Sequence, residues 1–296
     1  MTFKFSKKKN SNRIVILGSS GIISINLQKF LKKHKAIFKV FGKTKINLID
    51  KKNIIKLRNI ISKKDCVVFI SAEAPVKNLQ MLYNNLKMAD NFCNKINYNS
   101  LNHIIYVSSD AVYKDIKRPI TEKSLVMPNS LHGLMHFLRE KVFLQRFKDK
   151  LLIVRPTLIY GIDDTHNGYG PNQFLNKKLN KKKIELYGKG EERRDHVFIK
   201  DLIEILIYCI KKNGTGILNI ASGKIFSFLK IAKIIDNIDG KKYKIKFLKR
   251  NGPMPHGGYR AFDISLLKKN FKNLKISSIQ DGIKKYYIEK KYTNAR

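Results

Sequence analysis

The chain has 296 residues, with 61 Lys or Arg against 22 Asp or Glu, which gives a formal net charge of +39. This length is enough to bury a full α/β core, with room for one large domain and a smaller lobe. No run of about 18 apolar residues occurs, so the sequence predicts no membrane span.

The basic charge indicates anionic partners such as nucleic acid, acidic lipid or phosphorylated small molecules. Lysine greatly outnumbers arginine, is spread along the whole chain and accompanies abundant Asn and Ile. Both a codon bias toward A and T and a basic binding surface explain this pattern. Clustered arginines and interleaved aromatic residues, which nucleic-acid readout favours, are not evident. We therefore expect no specific nucleic-acid partner.

The first thirteen residues, MTFKFSKKKNSNR, are basic but lack the apolar segment of a secretory signal. Cys66, Cys93 and Cys209 lie far apart in apolar runs and form no metal-binding spacing. They are typical of reduced core cysteines, so the sequence predicts a cytoplasmic protein without a bound metal.

A glycine turn near the start of the chain is the first motif with a chemical meaning. The apolar run Ile14–Leu17 predicts a buried strand, Gly18 follows at once, and an apolar helical pattern begins after Gly21. A strand, glycine turn and helix in this order point backbone N–H groups at a phosphate. Ser24 stands where a third glycine is usual. The alternative is an ordinary turn between a strand and a helix.

Strands and helices then alternate. The sequence predicts strands at residues 36–41, 65–70, 103–107 and 151–154, and helices at 53–61, 79–95 and about 128–147. This alternation predicts an α/β fold with a doubly wound, Rossmann-type sheet of about seven parallel strands. Basic residues Lys43 and Lys45 follow the second strand, where an acidic residue usually selects NAD. They favour NADP over NAD.

The pattern changes after Gly161. Residues 162–173 are polar and rich in turn formers, which indicates a loop over a site. The remaining predicted elements are helices at 174–182 and 202–211, strands at 184–187 and 216–220, and segments at 225–238, 243–248 and 264–287. We expect a dinucleotide-binding domain at residues 1–165, completed by about 196–223. A smaller C-terminal α/β substrate lobe should comprise 166–195 and 224–296.

The ordered motifs resemble the extended short-chain dehydrogenase/reductase family of nucleotide-sugar epimerases, dehydratases and reductases. The motifs are GSSGIIS at 18–24, VSSDAVY at 107–113, RPTLIYG at 155–161, GPNQF at 170–174, GEERRDHVFIKD at 190–201 and NIASG at 219–223. The resemblance covers about residues 12–287. It implies a cofactor site at Gly18, Ser20, Gly21, Ile22, Ile23, Lys43, Asn47, Leu48, Ser71, Ala72, Asn85, Val107, His136 and Pro156.

The resemblance also implies a serine that binds the reacting oxygen of the sugar, at Ser109. A hydroxyl both donates and accepts, so it can follow an alcohol as it becomes a carbonyl. Asp110, the next residue, is expected to contact substrate. The 4,6-dehydratases of the family carry an Asp-Glu pair here, and Ala111 replaces the glutamate. This replacement argues against a 4,6-dehydratase.

The catalytic Tyr-x-x-x-Lys signature of the family is absent, and His132 and His136 stand at the matching positions. The spacing of four places both on one helix face. Three hypotheses stay open. His132 is the proton donor and acceptor while His136 holds the cofactor ribose; the site binds ligands without turnover; or the two histidines bind a metal, for which no third ligand is evident.

At the substrate end, the resemblance implies contacts to the nucleotide sugar from Asn172, Arg194 and Arg260. Arginine suits a diphosphate because its guanidinium is planar and always charged. Arg250 is an alternative to Arg260, His256 either joins them or caps a turn, and Arg194 has an alternative role in an ion pair with Asp195.

The sequence thus predicts an NAD(P)-dependent epimerase or keto-reductase acting on a nucleotide-diphosphate sugar. The resemblance further implies a homodimer formed through the two helices beside the sheet, one of them carrying His132. The alternatives are a catalytically inactive protein that binds a dinucleotide or a nucleotide sugar, and a protein of this fold recruited to RNA by its charge.

Overall fold

The structure is a computed structural model that describes residues 1–6, 11–240 and 245–294. The residues group into two compact units. The first comprises Met1–Lys114, Glu122–Pro156 and Ile203–Ile220. The second comprises Asp115–Thr121, Thr157–Leu202 and Ala221–Arg296.

The strands, in chain order, are β1 Lys4–Phe5, β2 Arg13–Leu17, β3 Phe38–Phe41, β4 Asp65–Phe69, β5 His103–Val107, β6 Leu151–Pro156, β7 Leu158–Tyr160, β8 Ile184–Tyr187, β9 Arg193–Phe198, β10 Gly214–Ile220, β11 Ile225–Ser227, β12 Ile245–Leu248 and β13 Tyr259–Arg260. The α-helices are α1 Ile22–Lys33, α2 Lys51–Ile60, α3 Leu79–Lys95, α4 Leu131–Phe147, α5 Pro171–Leu179, α6 Ile199–Lys211, α7 Phe228–Asp236, α8 Ser265–Asn270 and α9 Ile279–Asn294. In the described ranges, none of these helices combines the length and apolar character needed to cross a membrane.

The first unit contains a seven-stranded sheet in the order β1-β10-β6-β5-β4-β2-β3. All neighbours from β10 to β3 pair in parallel, which confirms the predicted Rossmann-type class. The expectation of about seven parallel strands is wrong at one edge, because β1 pairs antiparallel with β10. A two-residue strand before the glycine turn carries no periodicity by which sequence could reveal it.

The central strands are buried on both faces, which is why their sequences are continuous apolar runs. Strand β4 is buried along its whole length. Phe69 from β4 packs edge-to-face against Phe92 of α3 and Phe143 of α4, with ring centroids 5.3 and 5.0 Å apart. This aromatic cluster fixes α3 and α4 against the sheet, and α4 carries His132 and His136.

The second unit contains a sheet in which β9 pairs with β11, β13 and β7, and a separate pair of β12 with β8. Strand β9 runs antiparallel to β11 and parallel to β13 and β7. The arginines predicted to bind substrate lie on β9 and β13 and face each other in register, Arg194 opposite Arg260.

Several predicted bounds differ from the observed ones. Strand β6 continues through Pro156, whereas the sequence indicated a stop at Arg155. Helix α5 begins at Pro171, inside the predicted loop, because proline is well tolerated in the first turn of a helix. The segment predicted at 225–238 divides into β11 and α7, with Ser227 capping the helix. The segment predicted at 243–248 contains strand β12 from Ile245, and residues 243–244 lie outside the described residues.

Candidate functional site

The glycine turn joins β2 to α1 in a conformation that other residues rarely adopt. Gly18 has φ of 112°, and a Cβ atom there would lie 2.9 Å from the backbone nitrogen of Ser71. Gly21 has φ of 88° and caps α1, and a Cβ there would meet no atom within 4 Å. Gly18 is therefore required by close packing, whereas Gly21 leaves open space in front of a twelve-residue helix.

Ser24, which replaces the third glycine of the motif, is fully buried and donates a hydrogen bond of 2.5 Å to the carbonyl oxygen of Gly18. Gln28 in turn donates to Ser24 Oγ and to the Ser19 carbonyl oxygen. The serine hydroxyl thus ties the helix to the turn where the usual glycine permits close packing. The departure from the motif has a local compensation.

A cleft of about 240 Å³ opens beside this turn at the carboxyl ends of β2, β3 and β4. Seven of the predicted cofactor residues line it: Gly18, Ser20, Lys43, Asn47, Leu48, Ser71 and Ala72. The other lining residues are Ser19, Gly42, Ile46, Ile70, Glu73 and Met88. Ligands of doubly wound sheets bind at this end of the strands. Among the described residues no side chain caps the amino end of α1, so the first-turn N–H groups face the open space beside Gly21.

The other predicted cofactor residues lie nearby or deeper. Ile22 and Ile23 begin α1, and Ile23 is buried in its packing face. Val107 and Pro156 end β5 and β6. Asn85, which is fully buried on α3, accepts a hydrogen bond from the Glu73 N–H and donates to the Glu73 carbonyl oxygen. It holds the segment after β4 in place.

The charges at the mouth of this cleft are mixed. Lys43, with a side chain 75% exposed, lies 3.9 Å from the carboxylate of Glu73. Glu73 also accepts a hydrogen bond of 3.0 Å from Asn84. The lysine that favoured NADP therefore has a carboxylate beside it, which sequence spacing did not reveal.

Ser109 follows β5 and caps a 3-10 turn at Asp110–Val112, accepting a hydrogen bond of 3.1 Å from the Ala111 N–H. Helix α4 approaches this turn closely, because a Cβ on Gly133 would lie 2.2 Å from the Ala111 carbonyl oxygen. Ser130 caps α4 through the Gly133 N–H. Gly133 thus brings the helix that carries the histidines against the turn that carries Ser109.

The two histidines of α4 differ in their surroundings. Their ring centroids are 4.8 Å apart in an edge-to-face arrangement. His132 is half-buried, and its Nδ1 is enclosed without a hydrogen-bond partner among the described residues. His136 is 6% exposed, and its Nδ1 lies 2.7 Å from the hydroxyl of Tyr106 on β5.

Burial lowers the pKa of both imidazoles, because the charged form loses its hydration. The neighbouring Asp110 carboxylate opposes this effect at His132. At His136, repulsion from the protonated form of His132 and from the Arg139 guanidinium adds to burial and holds the pKa well below its ordinary value. Both rings are therefore neutral at pH 7 and able to accept a proton or a hydrogen bond.

An ion pair anchors the far side of α4. Arg155 on β6 donates to both carboxylate oxygens of Glu140, at 2.9 and 2.6 Å, and Ser108 donates to the same carboxylate at 2.6 Å. The Arg155 guanidinium lies over the Tyr113 ring, whose hydroxyl donates to Asn219 on β10. This buried network joins α4 to three adjacent strands of the sheet.

In the second unit, Asn172 is buried at the start of α5. Its side-chain oxygen accepts from the Gly161 N–H at 3.0 Å, and its amide donates to the Ile159 carbonyl oxygen at 3.2 Å. These contacts hold the start of the 162–170 loop against α5. The structure thus gives Asn172 backbone partners within its own unit.

The predicted arginines of the second unit each face a carboxylate. Arg194 pairs with Glu192 at 2.6 Å, and Arg250 lies 3.6 Å from the same carboxylate. Arg260 donates to Asp115 at 2.7 Å. Asp195, the residue after Arg194, accepts hydrogen bonds from the Ser222 and Gly223 N–H groups.

His256 joins this group. It lies 2.5 Å from Asp115 and 3.0 Å from Arg260, in a turn where its φ is 54°. Three arginines and one histidine thus lie around the carboxylates of Glu192 and Asp115.

Sequence reasoning missed Tyr106, Arg139, Glu73 and the Glu140–Arg155 pair. Tyr106 lies in an apolar strand, so the sequence pattern indicates a core residue. Arg139 lies among polar helix residues, so the pattern indicates a surface residue. Arg139 is fully buried. The helical spacing of Arg139 from His132 and His136 was the one available signal, because residues three or four positions apart share a face.

Within the residues that the structure describes, no group of three or more His, Cys, Asp or Glu side chains is arranged to hold a metal ion. The pair of histidines on α4 therefore has no third ligand of these types in the described part of the chain.

Comparison with known proteins bears on the family. The sequence model of the NAD dependent epimerase/dehydratase family matches residues 14–221. An uncharacterised UDP-glucose epimerase of Bacillus subtilis is 23% identical over 189 residues, 62% of this chain and 59% of that protein. A dTDP-D-glucose 4,6-dehydratase of Dictyostelium discoideum is 26% identical over 271 residues, 76% of this chain and 62% of that protein. The matches thus span about six tenths of the length of these two relatives.

Among solved structures, the UDP-glucose 4-epimerase of Thermotoga maritima, determined with UDP-glucose, has a TM-score of 0.84 at 16% identity. The superposition covers 95% of this chain and 99% of that one. The UDP-glucuronic acid 4-epimerase of Bacillus cereus, in complex with UDP-glucuronic acid and NAD, has a TM-score of 0.78 at 22% identity, with 95% and 99% coverage. These likenesses establish the fold. With a family match across 14–221 and a cleft beside its glycine turn, the chain belongs to the NAD dependent epimerase/dehydratase family.

Proposed function

We propose that the protein is an NAD-dependent epimerase or keto-reductase of a nucleotide-diphosphate sugar, in which His132 moves the proton. One observation carries the proposal: a neutral, half-buried imidazole, whose Nδ1 has no hydrogen-bond partner among the described residues, lies on α4 at the position that matches the family's tyrosine. Such a group exchanges protons near neutral pH without a lysine to tune it.

The cleft beside the glycine turn fits a dinucleotide. The open space beside Gly21 lies before the amino end of α1, where a pyrophosphate finds N–H donors and a favourable dipole. Asn47, Leu48, Ser71 and Ala72 would hold the remainder of the cofactor. Bound NAD would supply hydride transfer at a ring carbon of the sugar.

The choice between NAD and NADP depends on Lys43. Its ion pair with Glu73 offsets the charge that a 2′-phosphate would need, and the carboxylate adds repulsion. Two solved structures of the same fold are complexes with NAD. We therefore favour NAD, against the expectation drawn from the lysines alone.

Three side chains of the first unit would act on the sugar. The neutral His132 would accept the proton of the reacting hydroxyl and return it to the oxygen when the carbonyl is reduced. The Ser109 hydroxyl would hydrogen-bond that oxygen in both states. Asp110, which stabilises the protonated form of His132, would favour the proton-accepting step.

The group of cations in the second unit would bind the diphosphate. Arg194 and Arg260 face each other in register on adjacent strands, and their carboxylate partners hold the guanidinium planes in place. Arg250 and His256 extend the same group. Asn172 would fix the loop that leads to α5 rather than supply charge.

We also propose a homodimer through α3 and α4. Leu79 and Tyr83 lie one turn apart on α3 and are 71% and 58% exposed. Large apolar side chains at this spacing form one stripe on the helix surface, which a second copy would cover.

The purified protein, denatured and analysed by mass spectrometry for released small molecules, tests the proposal. We expect about one NAD per chain, retained as in an epimerase or exchangeable as in a reductase. No released cofactor, together with no binding of added NADH or NADPH, would refute the cofactor site. Released NAD with no chemistry on any nucleotide sugar would favour the alternative of a binding protein.

A further inference from the structure

The side chain of Tyr106 forms an unusual contact beneath the predicted site. Tyr106 lies on β5, is 1% exposed and stacks on Phe143 of α4 with ring centroids 4.8 Å apart. Its hydroxyl lies 2.7 Å from Nδ1 of His136. Among the described residues, His136 is the hydrogen-bond partner of this hydroxyl.

The direction of this hydrogen bond follows from the state of both groups. Burial raises the pKa of Tyr106 far above its ordinary value and lowers the pKa of His136, so the phenol is protonated and the imidazole is neutral at pH 7. If His136 donated from Nδ1, the phenolic hydrogen would be buried without an acceptor among the described residues. Tyr106 therefore donates, Nδ1 accepts, and the single ring proton of His136 is on Nε2.

Arg139 supports this arrangement from the next turn of α4. It is fully buried, and its Cζ lies 5.2 Å from the centroid of the Tyr106 ring and 4.9 Å from that of Phe69. Its Nη2 donates at 2.7 Å to the carbonyl oxygen of Ser71, a residue of the cleft. A permanent cation in this position disfavours a second proton on His136.

The charged and titratable groups around His136 come from several elements. His132 and Arg139 lie on its own helix, Tyr106 on β5 and Cys93 on α3, where Arg139 acts on the Cys93 thiol. Glu140 lies one turn further along α4 and is engaged by Arg155 and Ser108. Of these groups, only Tyr106 contacts Nδ1 of His136.

We propose that Tyr106, supported by Arg139, is a positioning residue that fixes His136 in the tautomer with the proton on Nε2. The chain thereby presents a neutral N–H donor at the position where the family carries a lysine ammonium. The identity of the group that receives this hydrogen bond, the cofactor ribose, rests on the proposed function. The tautomer itself does not.

Long-range ¹H–¹⁵N NMR of the uniformly labelled, ligand-free protein at pH 7 tests the tautomer, with His136 assigned by the His136→Gln variant. We expect the pattern of a protonated Nε2 and an unprotonated Nδ1. In Tyr106→Phe, which removes one oxygen, we expect a shift toward a mixture of tautomers. Tyr113→Phe is the matched control, because its buried hydroxyl donates to Asn219 instead, and it should leave the His136 signals unchanged.

A wild-type spectrum that shows Nδ1 protonated, a mixture or an imidazolium would overturn the inference, as would an unchanged tautomer in Tyr106→Phe. If that variant does not fold, the wild-type spectrum still decides. Calorimetric titration with NAD supplies a second measurement, in which Tyr106→Phe should weaken binding about five- to tenfold, as expected for one hydrogen bond, and Tyr113→Phe should not.

The proposed function and the inference about the tautomer can be refuted independently. A wild-type protein with the expected tautomer and no NAD binding would refute the proposed function alone. A protein that binds NAD with His136 in the other tautomer would refute this inference alone.

Discussion

The cleft beside the glycine turn and the histidine pair of α4 both lie in the first unit, but different parts of the chain form them. The cleft is shaped by backbone: glycines at positive φ, the amino end of α1 and the ends of parallel strands. The pair depends on side chains, namely two imidazoles, the Tyr106 hydroxyl and the buried cation of Arg139.

This difference explains how each site tolerates change. The backbone of the glycine turn accommodates Ser24 where a third glycine is usual, and the buried Ser24 hydroxyl donates a hydrogen bond to the Gly18 carbonyl oxygen. In the proposed site, His132 and His136 take the places of the family's tyrosine and lysine. These histidines need partners of their own. The hydroxyl of Tyr106 and the charge of Arg139 are such partners, and they lie under α4 rather than within the motif.

The largest expected effect is at His132. His132→Asn should lower turnover by about 10²- to 10⁴-fold, the usual contribution of a positioned acid–base group, while NAD content stays unchanged. Steady-state kinetics and cofactor analysis of the same preparation measure both. His34→Asn is the control, because His34 caps the carboxyl end of α1, away from the cleft. Equal turnover in His132→Asn and the wild type would remove His132 from the mechanism.

The anchor of α4 should matter for folding more than for cofactor chemistry. Glu140→Gln leaves Arg155 buried without its full counter-charge, which should lower the free energy of unfolding by about 3–5 kcal/mol. Urea denaturation measures the loss. Glu185→Gln, at a partly exposed ion pair with Lys177, should change the free energy of unfolding far less. Similar losses in the two variants would contradict the role assigned to the buried network.

His103, a buried histidine of the first unit, should make the stability of the fold depend on pH. Burial lowers the pKa of His103 to about 4, while its ring bonds the Gly214 carbonyl oxygen. In the unfolded chain His103 binds a proton as the pH falls through about 6.5, whereas in the folded chain it stays neutral until about pH 4. The contribution of His103 to the free energy of unfolding is therefore fully present above pH 6.5 and is lost as the pH falls toward 4.

The expected loss from His103 is about 3 kcal/mol across that window. The midpoint of urea unfolding, followed from pH 7 to 5, measures the slope. His103→Gln should flatten it, and His166→Gln, in the exposed loop, should not. An unchanged slope in His103→Gln would show that this histidine is not a source of the acid sensitivity.

Substitutions at Gly18 and Gly21 should separate the effect of a crowded Cβ from the effect of a positive φ, because both glycines have a positive φ but only Gly18 is closely packed. Gly18→Ala adds a Cβ 2.9 Å from the Ser71 nitrogen as well as backbone strain, and we expect a loss of about 1–3 kcal/mol and at least tenfold weaker NAD binding. Gly21→Ala meets open space and should show the smaller stability loss. Thermal unfolding and NAD titration compare the two. The reverse order of stability would contradict the packing described at Gly18.

The smallest effect concerns cofactor choice. Glu73→Gln frees Lys43 from its carboxylate and should improve NADPH binding relative to NADH by about three- to tenfold, since exposed charges contribute about 1 kcal/mol. Fluorescence titration with both nucleotides measures the ratio, with Glu185→Gln as the unchanged control. If Glu73→Gln left the ratio of NADPH to NADH affinity unchanged, the Glu73 carboxylate would have no influence on binding of the 2′-phosphate.

The sequence was most informative where structure depends on local pattern. Apolar runs identified β4 and β5, and helical spacing identified α3 with the observed bounds. The glycine turn and the residues after β3 and β4 follow from the rule that parallel strands end at one edge. Strand β1 was missed, because a two-residue edge strand leaves no period to detect.

The contacts of the site residues could not be predicted, because they depend on how distant parts of the chain pack in the folded structure. Glu73 lies beside Lys43, and Glu192 pairs with Arg194, and neither partner follows from the sequence pattern. Tyr106 and Arg139 meet His136 because β5 packs beneath α4. A tyrosine in an apolar strand and an arginine in a polar helix reveal nothing of this by themselves.

The most direct test of the central claim, that the histidine pair supports hydride and proton transfer, is a single-turnover experiment. NAD-loaded protein is mixed with UDP-glucose, UDP-glucuronic acid, dTDP-glucose or GDP-mannose, and the absorbance of reduced nicotinamide is followed. We predict a rise with at least one sugar in the wild type, and its loss in His132→Asn at equal NAD content. A wild type that holds NAD and reduces none of it with any of these sugars, or a His132→Asn variant that matches the wild type, would contradict the account.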